Sequence, residues 1–211
     1  MKMLGKKYIF IAIIALIALA ILGLNFPQKQ NEIGSVTTKT PVLPDGVIFP
    51  NVIRNYELRG FHDFEIEQPG LGYSVTYKNS NGSWISIYAF TFNQPDIVDG
   101  IESQLIHKVF EMANEEVYEF ERRGEYKKAN LISKEKISFG QSAKAYLMSE
   151  WELNSFVELQ KSYTFVTGYN RKIVKVRMTF PVRALPDESK KSALDFLDDF
   201  SLLLSSDKVK L

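Results

Sequence analysis

The chain contains 211 residues, of which 45% are hydrophobic and 24% charged, and it has no cysteine. This composition is typical of one globular domain with an appendage, and it excludes a disordered chain, a disulfide scaffold and a thiolate metal site. The 26 basic and 25 acidic residues leave a formal net charge of +1, so a nucleic-acid partner is not expected.

The N-terminus carries an apolar run from Tyr8 to Leu24, which follows three lysines within the first seven residues. As a helix, this run rises about 26 Å, close to the ~30 Å hydrocarbon core of a bilayer. We therefore predict a single uncleaved transmembrane helix within residues 1–26. The alternative is a signal peptide cut after Ala20, which would leave an apolar new N-terminus at residues 21–24.

The lysines also predict an orientation. They precede the span, so the positive-inside rule places the N-terminus in the cytoplasm and the rest of the chain outside, in the periplasm or the extracellular space. Residues 27–46 are rich in polar residues, proline and glycine, which predicts a flexible linker with an average length of roughly 25 Å. Residues 47–211 then form the globular extracytoplasmic domain.

The first half of the domain combines strands with a long helix. It opens with aperiodic chain, in which residues 47–49 could dock as an extended segment. Two strands are predicted next, from Leu71 to Tyr77 and from Trp84 to Phe92, with a hairpin turn at residues 79–82. The apolar period then becomes that of an amphipathic helix from Ile97 to Phe120.

The second half predicts a meander and a closing helix. Four strand-like runs are joined by short turns, and they cover Leu131 to Phe139, Ala143 to Glu152, Phe156 to Thr167 and Ile173 to Phe180. A second amphipathic helix follows from Pro186 to Leu204. A sheet that is apolar on both faces needs a helix on each. We therefore expect an α/β (α+β) fold, an α/β/α sandwich with a mainly antiparallel sheet between two amphipathic helices.

The order of elements between Gly46 and Ser205 is also that of a known family. The shared features are the hairpin of residues 73–92, the Pro95-led helix, a strand turn at Gly140, and a Pro186-led helix that ends in Ser-Leu-Leu-Leu-Ser. In these features the chain resembles the PsbP-like fold. Well-known members of that fold dock onto other proteins, so the resemblance implies a binding or assembly role. It carries over no catalytic residue.

The sequence offers few groups for metal or cofactor chemistry. His62 and His107 are the only histidines, and neither has a second histidine at helical ligand spacing. His62 with Asp63, Glu65 and Glu67 is a candidate for a hard cation, but its spacing matches neither a calcium loop nor a zinc motif. His107 is expected at the surface or at the edge of the core. We therefore predict no metal and no cofactor.

A pair of carboxylates is the remaining arrangement in this sequence that could catalyse a reaction. Glu65 and Glu67 share a strand face if extended, and so do Glu150 and Glu152 on either side of Trp151, which could supply an aromatic platform for a sugar. Charges on a solvated strand face are the commoner reason for such spacing. The glutamates of the Ile97–Phe120 helix are expected on its solvated side; they are Glu115, Glu116, Glu119 and Glu121.

Two functions are left open by the sequence. The preferred one is a membrane-tethered extracytoplasmic binding or assembly module, non-enzymatic, which contacts the membrane through Tyr8–Leu24 and a protein partner in the envelope. The alternative is an exported carbohydrate-active or other acid/base enzyme that uses paired carboxylates. A deep cleft with two facing carboxylates would favour the enzyme, and a flat, partly apolar patch would favour the binding module. We assign no catalytic, cofactor-binding or metal-binding residue.

Overall fold

One antiparallel sheet of eight strands organises the domain. The structure is a computed structural model that describes residues 48–140, 142–183 and 188–205. In chain order, the elements are β1 (Val52–Ile53), β2 (Tyr56–Asp63), β3 (Tyr73–Lys78), β4 (Trp84–Phe90), α1 (Gln104–Arg122), β5 (Lys128–Phe139), β6 (Lys144–Asn154), β7 (Leu159–Tyr169), β8 (Lys172–Pro181) and α2 (Ser189–Ser205). The strand order is β1-β2-β3-β4-β8-β7-β6-β5, and all neighbours are antiparallel. The fold is therefore mixed α+β, as the sequence predicted.

The predicted membrane span Tyr8–Leu24 and the linker 27–46 lie outside the described residues. Within the part of the chain that the structure describes, no helix is long and apolar enough to cross a membrane.

The two helices cover opposite faces of the sheet. One face of β8 carries Val174, Val176, Met178 and Phe180, which share a core cluster with apolar residues of α2. The other face carries Ile173, which shares a second cluster with residues of α1, namely Ile106, Val109 and Phe110. All four residues of the first set are fully buried, so this face of β8 belongs to the core.

The first helix begins at Gln104, seven residues after the predicted start at Ile97. Gly100 has a φ of 86° and exchanges two backbone hydrogen bonds of 2.9 Å with Gly168, which holds the preceding chain out of a helix. The Ser103 hydroxyl then accepts a hydrogen bond from the amide of Ile106 at 3.2 Å and caps the helix. Ile97 and Ile101 have helical spacing in the sequence, but both are buried in the non-helical chain that precedes α1.

Strands β1 and β2 lie where the sequence pattern predicts aperiodic chain. The register of β2 shifts between Leu58 and Gly60, and most of its residues are partly exposed, so no period-2 pattern is visible. The expected docking of residues 47–49 is confirmed for Phe49, which is fully buried. Next to it, the Pro50 carbonyl accepts a hydrogen bond from the Tyr77 hydroxyl at 2.7 Å.

The other predicted strands are confirmed, with shifted ends. Strand β4 stops at Phe90 instead of Phe92, because Phe92 has a left-handed φ of 51°. Strand β7 begins at Leu159 instead of Phe156, because residues 155–158 form the turn from β6. The Pro186 that was expected to lead α2 lies outside the described residues.

Antiparallel pairing sorts the connections to two ends of the sheet. The β6–β7 turn (155–158) and the α1–β5 connection (123–127) lie at one end, which we call the tip end. The β2–β3 loop (64–72), the β4–α1 loop (91–103) and the β7–β8 turn (170–171) lie at the other, which we call the loop end. Strand β7 joins the two ends, and its 11 residues span roughly 33 Å.

Val176→Asp tests the core assignment. Val176 is fully buried against α2, so the substitution would bury an unpaired carboxylate and lower the free energy of unfolding by about 3 kcal/mol or more. Val52→Asp is the matched control, since half of that side chain is exposed, and it should cost less than about 1 kcal/mol. Thermal and urea unfolding measure both. A wild-type midpoint for Val176→Asp would contradict this fold.

Candidate functional site

The fold of the β2–β3 loop brings two of the predicted cation ligands together and engages a third with backbone amides. His62 lies at the surface with its Nε2 atom 3.1 Å from Oε1 of Glu67. The Glu65 carboxylate instead accepts hydrogen bonds from the amides of Gly70 at 2.9 Å and Gly72 at 2.7 Å. Among the described residues, no group of three or more His, Cys, Asp or Glu side chains could hold a metal ion. The Glu65 carboxylate therefore stabilises the conformation of this loop.

The predicted carboxylate pair around Trp151 does not form a sugar platform. Trp151 is fully buried, where it stacks edge-on against Tyr118 of α1, so it points away from Glu150 and Glu152 on the same strand. Glu152 pairs with Lys161 at 3.2 Å. The expectation of an aromatic platform is therefore wrong, because α1 covers the face of β6 on which Trp151 lies.

The two acidic pairs are also far apart. Strands β2 and β6 are separated by five strand spacings in the sheet, which is about 24 Å. Glu65 and Glu67 on one side therefore cannot face Glu150 and Glu152 on the other across one glycosidic bond, where two catalytic carboxyl groups lie within about 10 Å.

Sequence reasoning misplaced one helix glutamate. Glu115 and Glu119 lie on the solvated side of α1 as expected, and both pair with Arg122. Glu116 does not, because its side chain is 7% exposed and its Oε2 atom lies 3.0 Å from Nζ of Lys175, which is 3% exposed. The pair spans the interface between α1 and the centre of the sheet.

A second buried cation lies two residues further along β8. Arg177 donates a hydrogen bond from Nη2 to the Tyr126 hydroxyl at 2.9 Å, and its guanidinium lies 5.7 Å from the centre of the Phe120 ring. Lys175 lies 4.7 Å from the centre of the Tyr88 ring. Burial raises the pKa of the Tyr88 hydroxyl above its ordinary value, so this group stays neutral.

This buried cluster fixes α1 on the sheet. The polar atoms that it uses are engaged inside the protein: Lys175 with Glu116, and Arg177 with Tyr126. A buried cation that loses its partner is strongly destabilising, so the helix is held in one register. A signal was present in the sequence, since Lys175 and Arg177 alternate with core residues in a strand covered on both faces, and such charges need partners.

The loop end is the other distinctive region, because its loops are tied together. The Gly70 carbonyl accepts from the amides of Thr91 at 3.2 Å and Phe92 at 2.7 Å. The Asn93 side-chain amide donates to the Pro69 carbonyl at 2.9 Å. The β2–β3 and β4–α1 loops therefore form one surface.

Unusual backbone conformations are concentrated at this end. Phe92 and Asn93 have φ values of 51° and 57°, and Asn170 and Arg171 have 47° and 60°. A positive φ is uncommon for a bulky residue such as Phe92 and persists only where surrounding contacts enforce it. A Cβ on Gly168 would lie 2.0 Å from the Val98 carbonyl oxygen, so the β4–α1 loop rests directly on β7.

Two apolar side chains project from this surface. Ile66 in the β2–β3 loop is 84% exposed, and Val98 in the β4–α1 loop is 63% exposed. His107 on α1 is also exposed, which confirms the expectation of a surface histidine. Rigid loops that expose apolar side chains on a firm scaffold are typical of binding surfaces.

Comparison with protein-family models and with curated proteins found no match to this chain.

The Glu116–Lys175 pair is tested by a double-mutant cycle. Glu116→Gln leaves the Lys175 ammonium buried without its counter-ion, and it should lower the free energy of unfolding by about 3 kcal/mol or more. Adding Lys175→Met removes that charge and should recover much of the loss. Glu115→Gln, one residue away on the exposed side, is the control and should have little effect. Additive losses in the double variant would contradict the pairing.

Proposed function

We propose that the chain is a membrane-tethered extracytoplasmic binding or assembly module, non-enzymatic, which docks onto a protein component of the envelope through its loop end. The observation that carries the proposal is the pair of tied loops that present Ile66 and Val98 on a conformationally constrained surface. Preformed loops lose little conformational entropy when they bind, which favours docking to a partner.

The paired-carboxylate alternative receives less support from the geometry. Its two acidic pairs lie on separate parts of the sheet, and their side chains have structural partners: Glu65 with loop amides, and Glu152 with Lys161. The predicted aromatic platform is buried.

The tether and the fold family are part of the same proposal. The run Tyr8–Leu24 supports a single-pass anchor with the N-terminus in the cytoplasm and the domain in the periplasm or extracellular space. We also propose a PsbP-like relationship, which agrees with an eight-stranded antiparallel sheet between two helices. A docking role would be consistent with it.

The docking surface is tested by site-specific photo-crosslinking of the full chain in its native membranes. A photoreactive residue in place of Ile66 or Val98 should give the same protein adduct, because the two loops form one surface. Ile132 is the control, since it is 53% exposed but lies on the edge strand β5. An adduct of equal yield at Ile132, or none at the two loop positions, would rule out the loop end as the docking surface.

The anchor is tested by fractionation. The full chain should stay with the membrane after an alkaline wash, because a helix of this apolar length inserts stably. Protease added from outside should digest the domain. Release by the wash, or a mature N-terminus after Ala20, would contradict the anchor, and complete protection from the protease would contradict the orientation.

A further inference from the structure

The β6–β7 turn exposes two apolar side chains at the tip end. Phe156 is 64% exposed and Val157 is 85% exposed, and they are consecutive residues at the outermost point of a hairpin. Large apolar side chains at a protruding tip cost free energy in water unless another phase or molecule receives them.

Three of the four backbone amides of this turn, those of Ser155, Val157 and Glu158, donate hydrogen bonds within the turn. The Ser155 hydroxyl accepts hydrogen bonds from the amides of Val157 at 3.2 Å and Glu158 at 3.0 Å, and it donates to the Glu158 carbonyl at 2.7 Å. The Ser155 amide also donates to that carbonyl, at 3.1 Å. Amides that are paired within the turn can leave water at little cost, which is the requirement for entering lipid.

A lysine lies beside the tip. The Lys127 ammonium lies 5.4 Å from the centre of the Phe156 ring, and Lys128 is the next residue at the same end of the sheet. Long basic side chains beside an inserted aromatic ring extend to the phosphates of lipid headgroups. The single carboxylate in the turn, on Glu158, is paired with Arg183 at 2.8 Å. The neighbouring Lys128 is paired with Glu121 at 3.3 Å, so the tip is apolar at its end and has the Lys127 ammonium beside it.

We propose that this tip inserts Phe156 and Val157 into the lipid surface of the membrane that holds the N-terminal anchor. The occupant is the bilayer and its phosphate headgroups. The inference rests on the proposed tether. Residues 25–47 separate the predicted span from the first described residue, and 23 residues reach at most about 80 Å when extended. The tip lies five to six strand spacings, about 25 Å, from β1, so the connection is long enough.

The experiment uses the full chain, which contains no cysteine, in vesicles of phosphatidylcholine alone or mixed with phosphatidylglycerol. Val157→Cys receives an environment-sensitive fluorophore, and lipids that carry a quencher report its contact with the bilayer. Ile66→Cys is the matched control, because its exposure is 84% against 85% and it lies at the opposite end of the sheet.

We expect a blue shift and strong quenching for the probe at position 157, and little of either at position 66. Adding Phe156→Ser should reduce tip insertion about tenfold or more, because it removes a large apolar group from the membrane contact. The thermal midpoint should stay unchanged, since both tip side chains are exposed. Phosphatidylglycerol should strengthen the signal, because its negative charge attracts the Lys127 ammonium beside the tip.

The outcomes separate this inference from the tether. Equal quenching at both positions, with the chain still bound after an alkaline wash, overturns tip insertion and leaves the anchor standing. A chain that washes off while the position 157 probe had been quenched supports the tip contact and overturns the anchor. Loss of both signals overturns both. Because the vesicles contain no other protein, quenching cannot come from a protein partner.

Discussion

The positions of both helices depend on strand β8, which buries an apolar face on one side and a face with two cations on the other. It lies between β4 and β7 in the middle of the sheet, with Val176 in the core on one face and Lys175 and Arg177 on the other. The apolar face needs only an apolar helix. The cationic face needs specific partners, and Glu116 of α1 supplies the carboxylate that one ammonium requires. The position of α1 is therefore set by chemistry as well as by shape.

Fixing α1 in turn fixes the loop that leads into it. The helix is capped by Ser103, and the chain before it has to return across the end of the sheet, where Gly100 bridges to Gly168. The β4–α1 loop is thereby pressed onto β7 and tied to the β2–β3 loop through Gly70. The left-handed conformation of Phe92 follows from these constraints, because the surrounding hydrogen bonds determine its position.

Elements with a periodic apolar pattern could be predicted from the sequence. Elements whose burial depends on tertiary contacts without such a pattern could not. The β8 alternation at Val174 to Phe180 and the strands from Leu131 onward were recognised because burial on a face leaves a period. Strand β2 was missed because a bulge near Gly60 breaks its alternation. The predicted start of α1 is too early because Ile97 and Ile101 are buried in a loop. An apolar period indicates which residues are buried, and here it does so without a helix.

The same limit applies to the candidate site. Glu116 lies seven residues after the buried Val109 and so shares the buried side of α1, but its charge led to the expectation that it is solvated like Glu115 and Glu119. Its counter-ion, Lys175, comes from a distant strand, and that contact is not visible in the helical pattern. The Trp151 platform was predicted from the alternation of side chains along β6. That alternation is present, but α1 covers the face on which Trp151 lies. Which face of a strand is open is a property of the whole sheet.

A tether alone holds a domain near a membrane without orienting it, whereas two separated contact surfaces would do so. In the proposed arrangement, the tip with Phe156 and Val157 meets the lipid, and the loop end with Ile66 and Val98 meets the partner. Strand β7 connects them directly, since it leaves the tip at Leu159 and reaches the loop end at Tyr169. The partner would then be met roughly 33 Å from the membrane surface, a height set by the rigid length of a central strand. The linker would determine only how far the domain can move along that surface.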